Sequence, residues 1–171
     1  MYKRQIYNYR ELNQRFAFSE RSEVGVIAEL FSKYGPAAAN VLEGMFAIAH
    51  YSPTSNELLL IRDAIGQKPL YYSISRKLLA FASTIKAIQR ACGPLTLRDD
   101  AIHEYLIFKS VGRYYSTFKG IEQIPPGGWL MVDSIGRKRS GQWSHLPRQC
   151  DMTTTAQEAV SYTHLTLPTK A

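Results

Sequence analysis

Residues 62–72 form the most informative stretch of this chain, Arg62-Asp63-Ala64-Ile65-Gly66-Gln67-Lys68-Pro69-Leu70-Tyr71-Tyr72. An apolar run at residues 58–61 precedes the charged pair, and a second apolar run at residues 70–74 follows the Lys-Pro step. Gly66 permits a backbone angle that other residues resist, and Pro69 fixes φ and favours an extended residue before it. The pattern therefore predicts two strands joined by an ordered loop.

Three helices are predicted to open the chain. Asn8 and Ser22 are placed to cap the first two, and Gly35 is a C-terminal glycine for the second. Ser83 and Asp99 are predicted to cap two later helices. The inner face of the last helix is predicted to carry four apolar residues, Ile102, Tyr105, Leu106 and Phe108.

Six strands are predicted between and after these helices. They lie at residues 45–51, 57–61, 71–74, 78–81, 129–132 and 139–143. Helices and hairpins in this order are typical of an α+β fold with antiparallel sheets packed together.

Composition excludes several functional classes. The chain has 171 residues, of which 45% are apolar, enough for one domain with a core. No apolar run of about 18 residues and no apolar leader are found, so we expect no membrane partner and a cytoplasmic location. The net charge of +7 is dispersed except at residues 137–139, a predicted solvated hairpin tip, so no nucleic-acid partner is expected. Cys92 and Cys150 lack ligand spacing, so no metal site is expected.

Five further segments accompany residues 62–72 in a fixed order. They are Ile6-Tyr7-Asn8-Tyr9-Arg10-Glu11-Leu12, Gly44-Met45-Phe46-Ala47-Ile48-Ala49, Phe81-Ala82-Ser83-Thr84-Ile85-Lys86-Ala87-Ile88, Phe118-Lys119-Gly120-Ile121 and Ile124-Pro125-Pro126-Gly127-Gly128. In this order and spacing they closely resemble the glutaminase domain of glutamine-hydrolysing asparagine synthetases, which are class II amidotransferases with an N-terminal nucleophile.

The resemblance implies a fold and a domain organisation. The implied fold is part of the four-layer αββα sandwich of N-terminal-nucleophile hydrolases, with its first strands missing upstream of Met1. Residues 6–146 correspond to a partial amidotransferase domain, and residues 147–158 to a linker toward an absent synthetase domain. Residues 1–5 and 159–171 resemble translated sequencing-adapter sequence and are predicted to be foreign to the protein.

The catalytic group of the resembled family is an N-terminal cysteine. Its thiolate attacks the side-chain amide of glutamine, and its own α-amino group can serve as base. Tyr2 follows Met1 here, and Cys92 and Cys150 are internal. We therefore predict no catalytic residue in this chain; Cys92 is expected to pack, and Cys150 to be an incidental thiol.

Two positions correspond to glutamine-binding residues of the family. Gln5 stands where the family has the last residue of Asn-Gly-Glu, and Arg21 where it has the Asp of Ser-Asp-Thr-Glu, a contact of the substrate ammonium. A cation facing a cation at 4 Å costs about 4 kcal/mol in a protein-like dielectric, so a poor glutaminase is predicted. A one-residue slip that gives the role to Glu20 is the alternative.

Further residues correspond to the ammonia path and to the loop. Met45 matches a residue that lines the path between domains, where a thioether suits an apolar wall; a plain core methionine is the alternative. Arg62 and Asp63 are predicted to form a structural ion pair that orders the loop with Gly66 and Pro69.

The resemblance implies an asparagine-synthetase-like ligase that hydrolyses glutamine and passes ammonia to ATP-activated aspartate. The fragment itself is expected to be inactive and to need no cofactor, while ATP and Mg belong to the absent domain. The implied partners are glutamine and the protein's own synthetase domain. A homodimer of the parent is also compatible with the resemblance. The alternatives are a degenerate domain of a β-lactam-synthetase-like or peptide-cyclising synthetase, and a small non-enzymatic basic binding protein.

Overall fold

The structure is a computed structural model that describes residues 3–20, 22–75, 78–112 and 116–144. Its helices are α1 (Tyr9–Arg15), α2 (Glu23–Tyr34), a 3-10 helix (Gly35–Val41), α3 (Ile85–Cys92) and α4 (Asp99–Phe108). Its strands are β1 (Lys3–Ile6), β2 (Gly44–Ser52), β3 (Glu57–Arg62), β4 (Tyr71–Ile74), β5 (Leu79–Ala82), β6 (Glu122–Gln123), β7 (Gly128–Asp133) and β8 (Lys138–Gln142).

The strands form two antiparallel sheets. The first has the order β1-β2-β3-β7-β8, and the second has the order β5-β4-β6. Alternation along β2 divides the core, because successive side chains of a strand point to opposite faces. Phe46 and Ile48 pack with α1 and α2, while Ala47 packs with Leu70, which directly precedes β4, and with Ile74 of β4.

The layers follow the order helices, sheet, sheet, helix. One face of the first sheet carries α1, α2 and the 3-10 helix, and the other faces the second sheet. Helix α3 packs against β4 and β5. The predicted α+β class is confirmed.

The helix caps are only partly as predicted. Ser22 caps α2 by accepting a bond from the Gly25 amide at 3.0 Å, and Gly35 ends that helix with φ of +56°. Asn8 occupies the cap position of α1 but makes no side-chain cap bond. The side-chain amide of Asn8 instead donates through Nδ2 to the Val41 carbonyl at 2.9 Å and accepts through Oδ1 from the Glu43 backbone amide at 3.1 Å. These two bonds tie α1 to the segment that leads into β2.

Helix α4 departs most from expectation. The predicted inner face is wrong, because Tyr105, Leu106 and Phe108 are 48%, 61% and 69% exposed. Only Ala101 is buried in this helix. The helix also begins without a side-chain cap bond, with Arg98 rather than Asp99 in the cap position.

Candidate functional site

Strand β1 forms an edge of the first sheet and carries one of the predicted substrate positions. Gln5, which is exposed, lies opposite Met45 of β2, and Ile6 lies opposite Gly44. The close approach requires glycine at position 44, where φ is +142° and a Cβ would overlap the Gln5 carbonyl oxygen. Residues 3–5 are thus part of the sheet, and the foreign origin of residues 1–5 stays a prediction.

The start of α2 is tied to β1. The Ile6 amide donates to Glu23 Oε1 at 3.2 Å, a contact that no local sequence signal predicted. The Glu20 carboxylate lies over Gly25 in the first turn of α2. The strand that holds Gln5 and the start of α2 therefore come together, while Arg21, the other predicted substrate position, lies outside the described residues.

A cavity opens between the two sheets on one face of β2. It has a volume of about 330 Å³, and its walls include Ala47 and Ala49 of β2 and Phe81 of β5. Met45 is half-buried, and by strand alternation it shares the face of Ala47 and Ala49. Gln5 lies on the same face because it is paired with Met45. The role of Met45 in an ammonia path stays a prediction.

Arg62 is buried, at 7% exposure, and holds three backbone carbonyls. Its Nε donates to the Lys68 oxygen at 2.7 Å, Nη1 to the Ile124 oxygen at 2.9 Å and Nη2 to the Gly66 oxygen at 2.5 Å. Burial lowers the pKa of the Arg62 guanidinium, and the neighbouring Asp63 carboxylate acts in the opposite direction. The planar fork of a guanidinium suits three fixed acceptors.

Asp63 is 1% exposed and collects the complementary backbone donors. Oδ1 accepts from the Gln67 amide at 2.9 Å, and Oδ2 accepts from the Lys68 amide at 3.0 Å and the Phe46 amide at 3.3 Å. Each of the two side chains therefore holds its own set of backbone groups, and the ion pair between them stays a prediction. Together these bonds order the loop, because buried charged groups need fixed partners.

Gly66 and Pro69 lie in the loop that joins β3 to β4 and that Arg62 and Asp63 hold. Gly66 has φ of +70°, and a Cβ there would stand 3.0 Å from both the Arg62 guanidinium carbon and Pro126. Glycine is thus required by backbone angle and by space. Pro69 lines the cavity between the sheets.

Trp143 follows the last strand and adds a further contact to the loop that Arg62 and Asp63 hold. No pattern in the sequence predicted this contact. Its indole Nε1 donates to the Arg62 carbonyl oxygen at 2.9 Å. Its ring stacks on Phe46, with centroids 5.8 Å apart. The loop, β2 and the end of β8 are therefore held at one point.

Cys92 was predicted to pack inside the domain, but it is exposed. It lies at the end of α3, and the prediction is wrong. Cys150 and residues 147–158 and 159–171 lie outside the described residues. Within the described ranges, no group of three or more His, Cys, Asp or Glu residues stands close enough to hold a metal ion.

In those same ranges, no helix has the length and the apolar character that a bilayer crossing requires.

Comparisons with known proteins agree on one domain type. The glutamine amidotransferase domain profile matches residues 1–143. Asparagine synthetase [glutamine-hydrolyzing] 1 of Bacillus subtilis is 28% identical over 77% of this chain and 22% of its own length. The probable asparagine synthetase of Schizosaccharomyces pombe is 29% identical over 73% and 22%, and asparagine synthetase B of Escherichia coli is 34% identical over 52% and 17%. The chain thus spans about a fifth of the length of these relatives.

The fold has solved counterparts. Glutamine phosphoribosylpyrophosphate amidotransferase from B. subtilis, complexed with ADP and GMP, superposes with a TM-score of 0.55 at 18% identity, over 85% of this chain and 29% of its own. At that identity the likeness speaks for the fold alone. The domain match, the relatives and the layered architecture agree, and the chain belongs to the glutamine amidotransferase domain family.

Proposed function

We propose that this chain is the glutaminase part of an asparagine-synthetase-like enzyme. The intact parent hydrolyses glutamine and passes ammonia to aspartate that a second domain has activated with ATP and Mg²⁺. The bond from the Ile6 amide to Glu23 carries the proposal, because it brings together the two segments that correspond to the family's glutamine site. The relatives quoted above are all named asparagine synthetases, which favours this proposal over a cyclising synthetase or a free-standing basic binding protein.

The residues of this chain would build the site rather than perform the chemical step. The bonds of Arg62 and Asp63 fix the loop beside β2, and the Gly44 approach holds β1 in register. Attack on the glutamine amide needs a thiolate and a base, and an N-terminal cysteine supplies both. Because Tyr2 follows Met1, we propose that the 171-residue chain alone does not hydrolyse glutamine.

Arg21 is the residue of this chain that argues against efficient glutamine binding. A guanidinium at the position of the family's Asp would repel the substrate ammonium. We propose that the parent is a poor glutaminase and that Arg21→Asp lowers its KM for glutamine. Ordinary glutaminase activity of the unmodified parent, with no gain from the substitution, would disprove this role and favour Glu20.

The remaining expectations fit the same proposal. Residues 147–158 would lead to the parent's synthetase domain, and Met45 would border the ammonia path toward it. The parent would work in the cytoplasm. The direct test is glutamate release from glutamine, measured for the 171-residue chain and for the parent expressed from its native locus. Release by the parent alone supports the proposal, and release by neither contradicts it.

A further inference from the structure

The C-terminal turn of α4 presents four consecutive large apolar side chains to solvent. Tyr105, Leu106, Ile107 and Phe108 are 48%, 61%, 71% and 69% exposed. We call residues 105–108 the α4 tip. No two of the other exposed large apolar residues of the described chain are neighbours in sequence, although Tyr51, Leu78, Phe81 and Ile135 border one open pocket. Isolated exposed apolar residues are normal on protein surfaces. A continuous run is the feature that marks an interaction site.

The α4 tip is apolar on all its sides. Successive helical residues turn by about 100°, so four of them point in four directions round the axis. A helix that meets one flat partner needs only an apolar stripe, whereas one that is apolar all round is normally enclosed. The tip therefore fits a concave groove rather than a flat surface.

The base of α4 is held while its tip projects. The Arg98 amide donates to the Thr117 carbonyl at 2.9 Å, and Ala101 in the first turn is fully buried. Halfway along, the Gly112 amide donates to Glu104 Oε1 at 2.9 Å. The helix is thus fixed in direction at its start, and an anchored projecting helix binds a groove at little cost in ordering.

We propose that the α4 tip docks into an apolar groove of the domain that follows the glutaminase part in the parent protein. This inference rests on the proposed function, since it takes the parent to have a second domain. The quoted relatives are about four to six times as long as the matched segment, which leaves room for such a domain. A tethered partner needs little area, because linkage makes docking intramolecular.

A second copy of the chain fits this surface less well. The exposed parts of the four side chains amount to roughly 370–620 Å², taking about 150–250 Å² for each large side chain. A stable dimer buries about 800 Å² on each partner. A symmetric helix pair would also cover only one stripe of the tip and leave its other sides in water.

The test is amide hydrogen exchange of residues 105–108, measured in the 171-residue chain and in the parent. Docking predicts exchange at least about tenfold slower in the parent. Ile107→Asp in the parent should restore fast exchange at the tip. Ile135→Asp is the matched control, because Ile135 is 73% exposed in the turn before β8, and it should leave the protection unchanged. Unfolding temperatures of both variants exclude a general loss of fold.

Each outcome decides the proposal. Equal exchange in the two proteins overturns it, and so does protection in the 171-residue chain that grows with concentration, which would assign the tip to a second copy. The readout does not depend on catalysis. A parent that hydrolyses glutamine with an unprotected tip overturns the docking alone, and a protected tip in a parent without glutaminase activity overturns the proposed function alone.

Discussion

Arg62 shows at the residue scale how one side chain holds a loop. Replacing it with lysine keeps the charge but offers a single ammonium to three separated carbonyls, so we expect a loss of about 2–3 kcal/mol in the free energy of unfolding. Urea unfolding measures it. Arg137→Lys is the control, because Arg137 is 78% exposed in its pair with Asp133 and should change stability by under about 1 kcal/mol. Equal losses of unfolding free energy in the two variants would contradict the role of Arg62 in holding the loop.

Because of His50, we expect the stability of the fold to depend on pH. Its ring lies 6.0 Å from that of Phe31, its Nε2 lies 3.4 Å from Ser32 Oγ, and burial lowers its pKa below the ordinary 6.5. The unfolded chain therefore binds the proton more readily, and stability falls as the pH drops through the range below about 6.5.

The measurement is the free energy of unfolding near pH 7.5 and near pH 5.5, flanking the usual range of histidine titration. We expect a lower value at the acid pH for the native chain and a smaller difference for His50→Gln. If the variant keeps the full pH dependence, another group is responsible.

At the scale of elements, the pairing of β1 with β2 depends on Gly44. An alanine there would overlap the Gln5 carbonyl, so we expect a loss of about 3 kcal/mol or more and faster amide exchange at residues 3–6. Gly93→Ala is the matched control. Gly93 also has a positive φ, +87°, but no atom lies within 4 Å of its Cβ position, so strain of about 1–2 kcal/mol is expected. Undisturbed β1 exchange in Gly44→Ala would contradict this pairing.

Helices α2 and α4 should respond in opposite ways to the same substitution. Leu30 of α2 is fully buried, so Leu30→Ala should cost about 2–5 kcal/mol through lost burial and a cavity. Leu106 of α4 is exposed, and Leu106→Ala should change stability by no more than about 0.5 kcal/mol. Thermal unfolding of the two variants compares them directly. A large loss in Leu106→Ala would mean that α4 packs within this domain.

Over the whole molecule, features encoded over short distances could be predicted from the sequence. The Ser22 cap depends on residues within one turn, and the strand at residues 71–74 was predicted with its observed ends. The two-residue β6 is too short for a periodic signal. The α4 face was misjudged because an apolar pattern indicates burial without saying in which partner.

The site was harder to predict, because its partners are far apart in sequence. The loop could be recognised from Gly66 and Pro69, but Arg62 reaches Ile124, 62 positions away, and Trp143 reaches back 81 positions to Arg62. Neither contact has a local signal. Resemblance supplied the functional hypothesis, since the chemistry of amide hydrolysis is not visible in the spacing of the residues present.

We propose above that this domain serves glutamine-dependent amide transfer. This proposal is tested by giving the parent protein aspartate, ATP, Mg²⁺ and glutamine labelled at its amide nitrogen, and following the label. We expect labelled asparagine to form and glutamate to be released with it. A parent that makes an amide from its acceptor while the glutamine label stays in glutamine would contradict the proposal.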